Sequence, residues 1–474
     1  MTALAVVALL LLTAALGLGL ALRLLDRPVD AVACAPAVGL ALLTVVATWL
    51  AVAGVPVLTW ARPLTFVALA GSALLVWRAR AALAGLTEVR PVLAAHVVAA
   101  LLLVAPVLAG GEPFTRLRGN AVDALNYVEG ADLLGHLSPR EARATPPDVL
   151  FARNPCWPIQ AAILDYRYTT QLLLAWAAAL PGLRPIDLDF GASLLWLLCL
   201  VGPCWTLLRL AGVGPWQAAA AGVALVTGFG AQLVVDLRAQ AHLSAWPAAA
   251  LLLVGLTHPG LRPLAERAAR RRAAGLVALS LAAVVFCYAE LLPLVVAGLL
   301  VHAVAARREL AGGALVAGAA ASALLVVPLV SLLATSLLLQ ARSVAGPLRA
   351  GWHLLHFQRP LLDRPLEGVL GLTWCLTRGP FAAGPLAVAR DVLVLVLGLG
   401  LLAVAAEAVG RALAAREVAL ARRAVAAFTL AAALQAAAFL VLDRPWALGK
   451  AITYGHPWLT LALCQAGLGR RPGP

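Results

Sequence analysis

The chain has 474 residues, of which 63% are hydrophobic and only 12% are charged, and its mean hydropathy is +0.94. No soluble domain could bury so large a share of apolar residues, so a water-soluble protein is excluded. The sequence predicts an all-α, polytopic integral membrane protein, because helices satisfy their own backbone hydrogen bonds in lipid. The net charge of +14 does not indicate a nucleic-acid partner, since the basic residues collect in short loops between apolar segments.

Thirteen membrane spans, within a range of 11–14, are predicted along a single transmembrane domain, residues 1–474. They cover about 2–22, 31–53, 64–77, 92–110, 189–208, 215–235, 241–257, 274–289, 290–306, 312–339, 391–410, 424–442 and 451–468. The first could be taken for a signal peptide, but no basic segment precedes it and further spans follow, so we expect it to be retained. The apolar segment 169–180 is too short to span, and we expect an interfacial helix that ends at Pro181-Gly182.

The basic residues test this alternation of spans. With the N-terminus outside, nineteen arginines fall in short inner loops and four basic residues fall in short outer loops. The inner set is Arg23, Arg27, Arg78, Arg80, Arg90, Arg209, Arg262, Arg267, Arg270, Arg271, Arg272, Arg307, Arg308, Arg411, Arg416, Arg422, Arg423, Arg470 and Arg471, and the outer set is Arg62, Arg238, Arg444 and Lys450. We therefore expect the C-terminus to lie in the cytoplasm. Because 35 of the 36 basic residues are arginine, which indicates a GC-rich genome, we expect a plasma (inner) membrane protein of a bacterium. The long loops 111–188 and 340–390, with short interfacial helices, are then extracytoplasmic.

Nine of the 22 acidic residues fall between Glu112 and Asp189, and eight of them lie in the first long loop. A helix from about Asn120 would place Asp123 and Tyr127 on one face, at positions i and i+4. A partly desolvated carboxylate at a membrane surface can act as a general base toward a hydroxyl group, which makes Asp123 the candidate catalytic residue. The alternative is that these acids are solvated loop charges, or acids favoured by the dipole at a helix N-terminus.

The same helix would carry a second polar face with Glu129, Asp132 and His136, at positions i, i+3 and i+7. This face could bind a divalent cation, although a solvated face is the simpler interpretation. Arg167, near the end of the loop, could contact a phosphate group or form a structural pair with Asp165.

Other candidate residues lie at the remaining outer turns. Glu290 lies between two predicted spans, where an ionisable group is costly unless it is paired or used. In the second long loop, Arg359 and Arg364 are candidate anion contacts. Lys450, the only lysine, precedes the last span and could either extend to the interface or contact a lipid phosphate.

Three stretches carry a resemblance to a known superfamily. They are Asn120-Ala-Val-Asp123-Ala-Leu-Asn-Tyr127, the segment 166–212 with its short apolar helix before a long span, and Lys450-Ala-Ile-Thr-Tyr454-Gly-His-Pro457. In these stretches the chain resembles the GT-C superfamily of polytopic glycosyltransferases, which use polyprenyl-phosphate-linked sugars. The resemblance implies a GT-C-like fold and transfer of a sugar to an acceptor hydroxyl of a cell-envelope glycan or lipid.

The resemblance also implies roles for the candidate residues. Asp123 would be the general base, and Lys450, with Arg359 or Arg364, would stabilise the departing polyprenyl phosphate. Arg167, Glu290 and Tyr127 would complete the donor site. The partners would be the lipid-linked donor, the acceptor and the bilayer, and neither a metal ion nor another cofactor is implied.

Two other function classes stay open. A transporter or flippase of a lipid-linked or small substrate would fit the many spans, but proton-coupled transport requires ionisable residues near mid-span, and these are almost absent. A structural membrane protein, or a non-catalytic relative of the superfamily, would not depend on Asp123 or Lys450.

Overall fold

The structure is a computed structural model that describes most of the chain. The described residues are 2–83, 86–109, 121–164, 168–231, 241–258, 264, 266–306, 312–330, 333–335, 338, 385–415, 419–442 and 444–468. Every regular element within these ranges is a helix, which confirms the all-α prediction.

The helices follow the predicted order. The first ten are α1 (Thr2–Leu24), α2 (Pro28–Val52), α3 (Val57–Arg78), α4 (Arg80–Leu83), α5 (Arg90–Ala109), α6 (Ala121–His136), α7 (Pro139–Ala144), α8 (Pro147–Arg153), α9 (Trp157–Ile163) and α10 (Thr169–Ala179). The next ten are α11 (Pro185–Leu198), α12 (Val201–Leu210), α13 (Pro215–Ala231), α14 (Ala241–Gly255), α15 (Arg267–Tyr288), α16 (Leu292–Ala305), α17 (Gly313–Val326), α18 (Pro385–Ala414), α19 (Leu420–Val441) and α20 (Pro445–Leu468). Short 3-10 turns occupy Thr87–Val89, Ala289–Leu291 and Val327–Leu329.

Seven helical segments among the described residues are long and apolar enough to cross a membrane. They are Leu4–Leu24, Pro28–Val52, Val57–Arg78, Pro185–Leu210, Arg267–Ala305, Ala387–Ala414 and Leu420–Val441. The prediction of a polytopic membrane protein agrees with them. Each of the thirteen predicted spans overlaps at least one described helix, but the count of thirteen stays a prediction.

Helices α1, α2 and α12 pack with their backbones in close contact, because glycine stands where they cross. An ideal Cβ at Gly39 would lie 2.0 Å from the carbonyl oxygen of Thr13, and one at Gly17 would lie 2.0 Å from that of Ala35. An ideal Cβ at Gly202 of α12 would lie 1.8 Å from the carbonyl oxygen of Ala33. Small residues permit such close approach of helices in lipid, where van der Waals contact rather than exclusion of water drives helix association.

The bundle has two chemically different ends. At the basic end, ion pairs join Arg272 to Asp26 (3.1 Å) and Arg209 to Glu88 (3.8 Å). The first pair joins the start of α15 to the α1–α2 turn, and the second joins the end of α12 to the 3-10 turn before α5, whose Glu88 also interacts electrostatically with Arg27 of the α1–α2 turn. The opposite end, which we call the loop end, contains the C-terminus of α2 and the helices α6–α9, and α7 packs against α2.

Helix α10 lies in the core, near the loop end. The predicted helix and its end before Pro181-Gly182 are confirmed, with Gly182 in the left-handed conformation at φ +71°. All of its residues are buried, and it packs against α2, α3, α6 and α11. Thr169 lies within hydrogen-bonding distance of Thr48 (3.2 Å), and the indole of Trp176 donates to Thr65 (2.9 Å). The sequence predicted an interfacial helix, and the structure adds that no face of α10 is open to lipid or water.

The α15–α16 connection reverses the chain at the loop end. Helix α15 starts at the basic end, where Arg272 meets Asp26, and a 3-10 turn separates it from α16. Glu290 of this turn contacts Lys450, and eight residues further along each helix Gly298 and Trp458 both meet Phe428. Because the two contacts keep the same order along α16 and α20, the two helices run parallel away from the loop end. The predicted adjacent spans 274–289 and 290–306 therefore run in opposite directions across the bundle.

Candidate functional site

A buried ion pair joins two helices at the loop end. The ammonium of Lys450, in the second turn of α20, donates a hydrogen bond to the carboxylate of Glu290, in the turn between α15 and α16. The Lys450 side chain is 17% exposed and the Glu290 side chain is 10% exposed. The sequence analysis expected both residues in one donor site, and the structure brings these two side chains into contact.

Two tyrosines complete this cluster. The Nζ atom of Lys450 lies 4.8 Å from the ring centroid of Tyr288, which is close enough for a cation–π interaction. The rings of Tyr288 and Tyr454 lie 5.4 Å apart and are inclined by 47°. Tyr454 follows Lys450 by one helical turn, and Tyr288 precedes Glu290 by two residues. Sequence reasoning gave neither tyrosine a role here, although the Lys-x-x-x-Tyr spacing already placed Lys450 and Tyr454 on one face of α20.

The local sequence explains why Glu290 occupies this position. Pro293 lies in the first turn of α16, where its fixed φ favours the start of a helix and its missing N–H is not needed. The 3-10 turn before it holds the carboxylate at the helix reversal. The cluster thus holds the Lys450 ammonium against the Glu290 carboxylate and the Tyr288 ring. An ammonium attracts phosphate oxygens as a point charge, so Lys450 is a candidate contact for a phosphate.

Helix α6 presents two polar faces in different directions. By helical periodicity, Asp123 shares a face with Asn126, Tyr127 and Gly130. The Gln160 amide donates to Asn126 (3.1 Å), and an ideal Cβ at Gly130 would lie 2.9 Å from the Gln171 amide nitrogen. The face that carries Asn126 and Gly130 therefore packs against α9 and α10. The predicted helix is confirmed, but the Asp123 side chain lies outside those that the structure describes.

The second face of α6 is bonded to the segment around α9. The Asn154 amide donates to Glu129 (2.7 Å), and the Trp157 indole donates to Asp132 (3.1 Å). Burial and the nearby Glu129 carboxylate raise the pKa of the Cys156 thiol. The Glu129 and Asp132 carboxylates are half-buried and accept hydrogen bonds from neighbouring side chains, whereas His136 on the same face is exposed, so this face is covered only in part. Among the described residues, no group of three or more His, Cys, Asp or Glu side chains could hold a metal ion.

The structure places only some of the candidate residues relative to one another. Arg167, Arg359 and Arg364 lie outside the described residues. Helix α6 packs against α3, α9, α10 and α11, whereas α20 packs against α12, α13, α14, α18 and α19. Both helices reach the loop end, since α6 contacts α10 there and α20 contacts the α15–α16 turn. Convergence of Asp123 with Lys450 stays a prediction.

The site thus consists of an ion pair with two tyrosines at one end of an apolar helical bundle. Such an arrangement can bind an anion next to lipid, since the cation is held in place and largely shielded from water. No family model matches the chain, and no curated protein or solved structure matches it.

Proposed function

We propose that this protein is a membrane glycosyltransferase of the GT-C type, which moves a sugar from a polyprenyl-phosphate carrier to an acceptor hydroxyl of a cell-envelope glycan or lipid. The Glu290–Lys450 pair is the observation that carries the proposal. It provides a partly buried cation at the end of the bundle where α6 lies. A polyprenyl phosphate has its apolar chain in the bilayer and its anion at the surface, so a cation at this depth can meet it.

In the proposed reaction, the acceptor oxygen attacks the anomeric carbon of the donor sugar. Its proton passes to the Asp123 carboxylate, which acts as the general base. The bond between the anomeric carbon and the phosphate oxygen breaks, and the electron pair stays on that oxygen. Lys450 stabilises the charge of the departing polyprenyl phosphate, and Glu290 holds the ammonium protonated and oriented. Arg359, Arg364, Arg167 and Tyr127 are the further residues proposed for the donor site.

The proposal includes an orientation in the membrane. Arginines gather at the basic end, so this end would face the cytoplasm by the positive-inside rule. The loop end, with Asp123 and Lys450, would then lie on the extracytoplasmic side of a bacterial plasma membrane. The N-terminus would be outside and the C-terminus cytoplasmic, as expected from the charges of the short loops.

The test is a transfer assay with the full chain in proteoliposomes, supplied with a set of polyprenyl-phosphate sugars and a cell-envelope acceptor fraction. We expect Asp123→Asn to lower the transfer rate by about a hundredfold or more, which is the usual contribution of a general base. Lys450→Met should lower transfer similarly and weaken donor binding as well. Asp148→Asn, which alters an exposed acid of α8 in the same loop, is the matched control and should retain the wild-type rate.

Other outcomes would favour other functions. If the lipid-linked donor binds in a Lys450-dependent way and moves between the leaflets without sugar transfer, the protein is a flippase and not a transferase. No binding and no Asp123-dependent transfer with any donor would leave a structural membrane protein.

A further inference from the structure

At the basic end, three arginines lie on one face at the start of α15. Helical periodicity places Arg267, Arg270 and Arg271 together, whereas Arg272 points to a different side and pairs with Asp26. All three are exposed. In the part of the chain that the structure describes, their side chains form no ion pair. The only carboxylate beside them in the sequence, Glu266, makes no side-chain cap to α15.

The position of these charges is electrostatically unfavourable without a partner. The start of a helix carries the positive end of its dipole, which favours anions and disfavours cations. The positive-inside rule explains arginines on this side of the membrane, but it does not require three of them on one face of a first turn and a half. An anion between the three guanidinium groups would compensate both their mutual repulsion and the dipole.

The surroundings of the three arginines favour a lipid. The α15 face that carries them continues into the contact with α17, where an ideal Cβ at Gly318 would lie 2.6 Å from the carbonyl oxygen of Ala274. The opposite side of α17 is apolar and open, with Val316 68% exposed and Leu324 71% exposed. The arginine face thus points toward the start of α17, and the charge together with the apolar outer surface of α17 matches a phospholipid whose phosphate lies at the arginines and whose acyl chains pass over the start of α17 and along its outer side.

We infer that Arg267, Arg270 and Arg271 form a binding site for the headgroup of an anionic phospholipid at the basic end of the bundle. Guanidinium groups suit this role, because each can donate two parallel hydrogen bonds to a phosphate. This inference is independent of the proposed transferase activity, which concerns the loop end.

The test uses the full chain purified in detergent, with lipid binding measured by native mass spectrometry and by titration. The probes are phosphatidylglycerol, phosphatidylcholine and inorganic phosphate. Each arginine near an anionic headgroup contributes about fivefold to affinity. Changing all three to Gln should therefore weaken phosphatidylglycerol binding by about a hundredfold. Changing all three to Lys should retain most of the affinity, because the charge remains.

A matched control removes the same charge elsewhere. Arg78, Arg90 and Arg411 are exposed arginines on three other helices, and their change to Gln should leave phosphatidylglycerol binding close to that of the wild type. The inference is overturned if phosphatidylcholine binds as tightly as phosphatidylglycerol, or if the control variant loses as much affinity. It is also overturned if inorganic phosphate occupies the arginines as tightly as the lipid, because the site would then bind free anions.

Discussion

Replacing Lys450 by Met is expected to destabilise the protein mainly through the carboxylate that it leaves behind. Glu290 is only 10% exposed, so without the ammonium it must stay partly desolvated or take up a proton. Removal of one partner of a buried pair costs about 3–5 kcal/mol, and the residual exposure of this pair places our expectation at about 3 kcal/mol. Met keeps most of the side-chain volume and can contact the Tyr288 ring through its sulfur, so lost packing contributes little.

The double variant separates this cost from a loss of packing. The double variant Glu290→Gln with Lys450→Met removes both charges. Its loss in free energy of unfolding should be smaller, by at least about 2 kcal/mol, than the sum of the losses of the two single variants. The assay is unfolding by SDS in mixed micelles, followed by tryptophan fluorescence, for the wild type, both single variants and the double variant. Additive losses, with no coupling between the two sites, would refute the inference that these charges stabilise each other.

Three further predictions concern the scaffold around the site. Gly39→Ala should destabilise the protein by about 3 kcal/mol or more, because a Cβ at this position meets the α1 backbone. Gly71→Ala is the control and should be neutral or stabilising, because an ideal Cβ at Gly71 has no atom within 4 Å. The same SDS titration compares the two variants. Asn154→Ala should lower the free energy of unfolding by about 1–2 kcal/mol and speed hydrogen exchange in α6, because the Glu129 and Asp132 carboxylates lose a donor. Unchanged hydrogen exchange in α6 would contradict this prediction. Hydrogen bonds from Ser138 hold the pKa of Glu141 below its ordinary value of 4.5, so this cap stabilises α7 above that pH and is lost as the pH falls through the lowered pKa. The hydrogen exchange of α7 in Glu141→Gln should therefore differ from the wild type near neutral pH and converge with it in acid, and an equal difference at both pH values would speak against the cap.

The sequence predicted those features that depend on local pattern. Apolar length located the helices, and Pro181-Gly182 located the end of α10, because both signals act within one or two turns. The position of Glu290 in Cys-Tyr-Ala-Glu-Leu-Leu-Pro marked the α15–α16 reversal, since a buried charge before a proline does not fit inside a span.

Contacts between distant segments could not be predicted from local sequence patterns, and only the superfamily resemblance placed Glu290 and Lys450 in one site. Glu290 and Lys450 are 160 residues apart, and helices that are apolar on all sides do not encode which face meets which neighbour. For the same reason, the sequence did not predict that α10 is buried on all sides or that α1 and α2 cross at Gly39. The bonds from Asn154 and Trp157 to α6 were missed because periodicity shows that a face is polar, but not whether water or a neighbouring segment covers it.

The central claim is that Asp123 and Lys450 belong to one site, and cross-linking tests it most directly. In the proposed reaction, the Asp123 carboxylate contacts the acceptor hydroxyl, which attacks the anomeric carbon, and Lys450 contacts the phosphate bonded to that carbon. The Asp123 and Lys450 side chains must therefore lie within about 10 Å of each other. Cysteines at positions 123 and 450, in a chain whose native cysteines are replaced, are treated in proteoliposomes with a bifunctional reagent of about that length. The pair at positions 290 and 450 is the positive control, because these residues are in contact. The account predicts that both pairs cross-link; cross-linking of the control pair alone would contradict it.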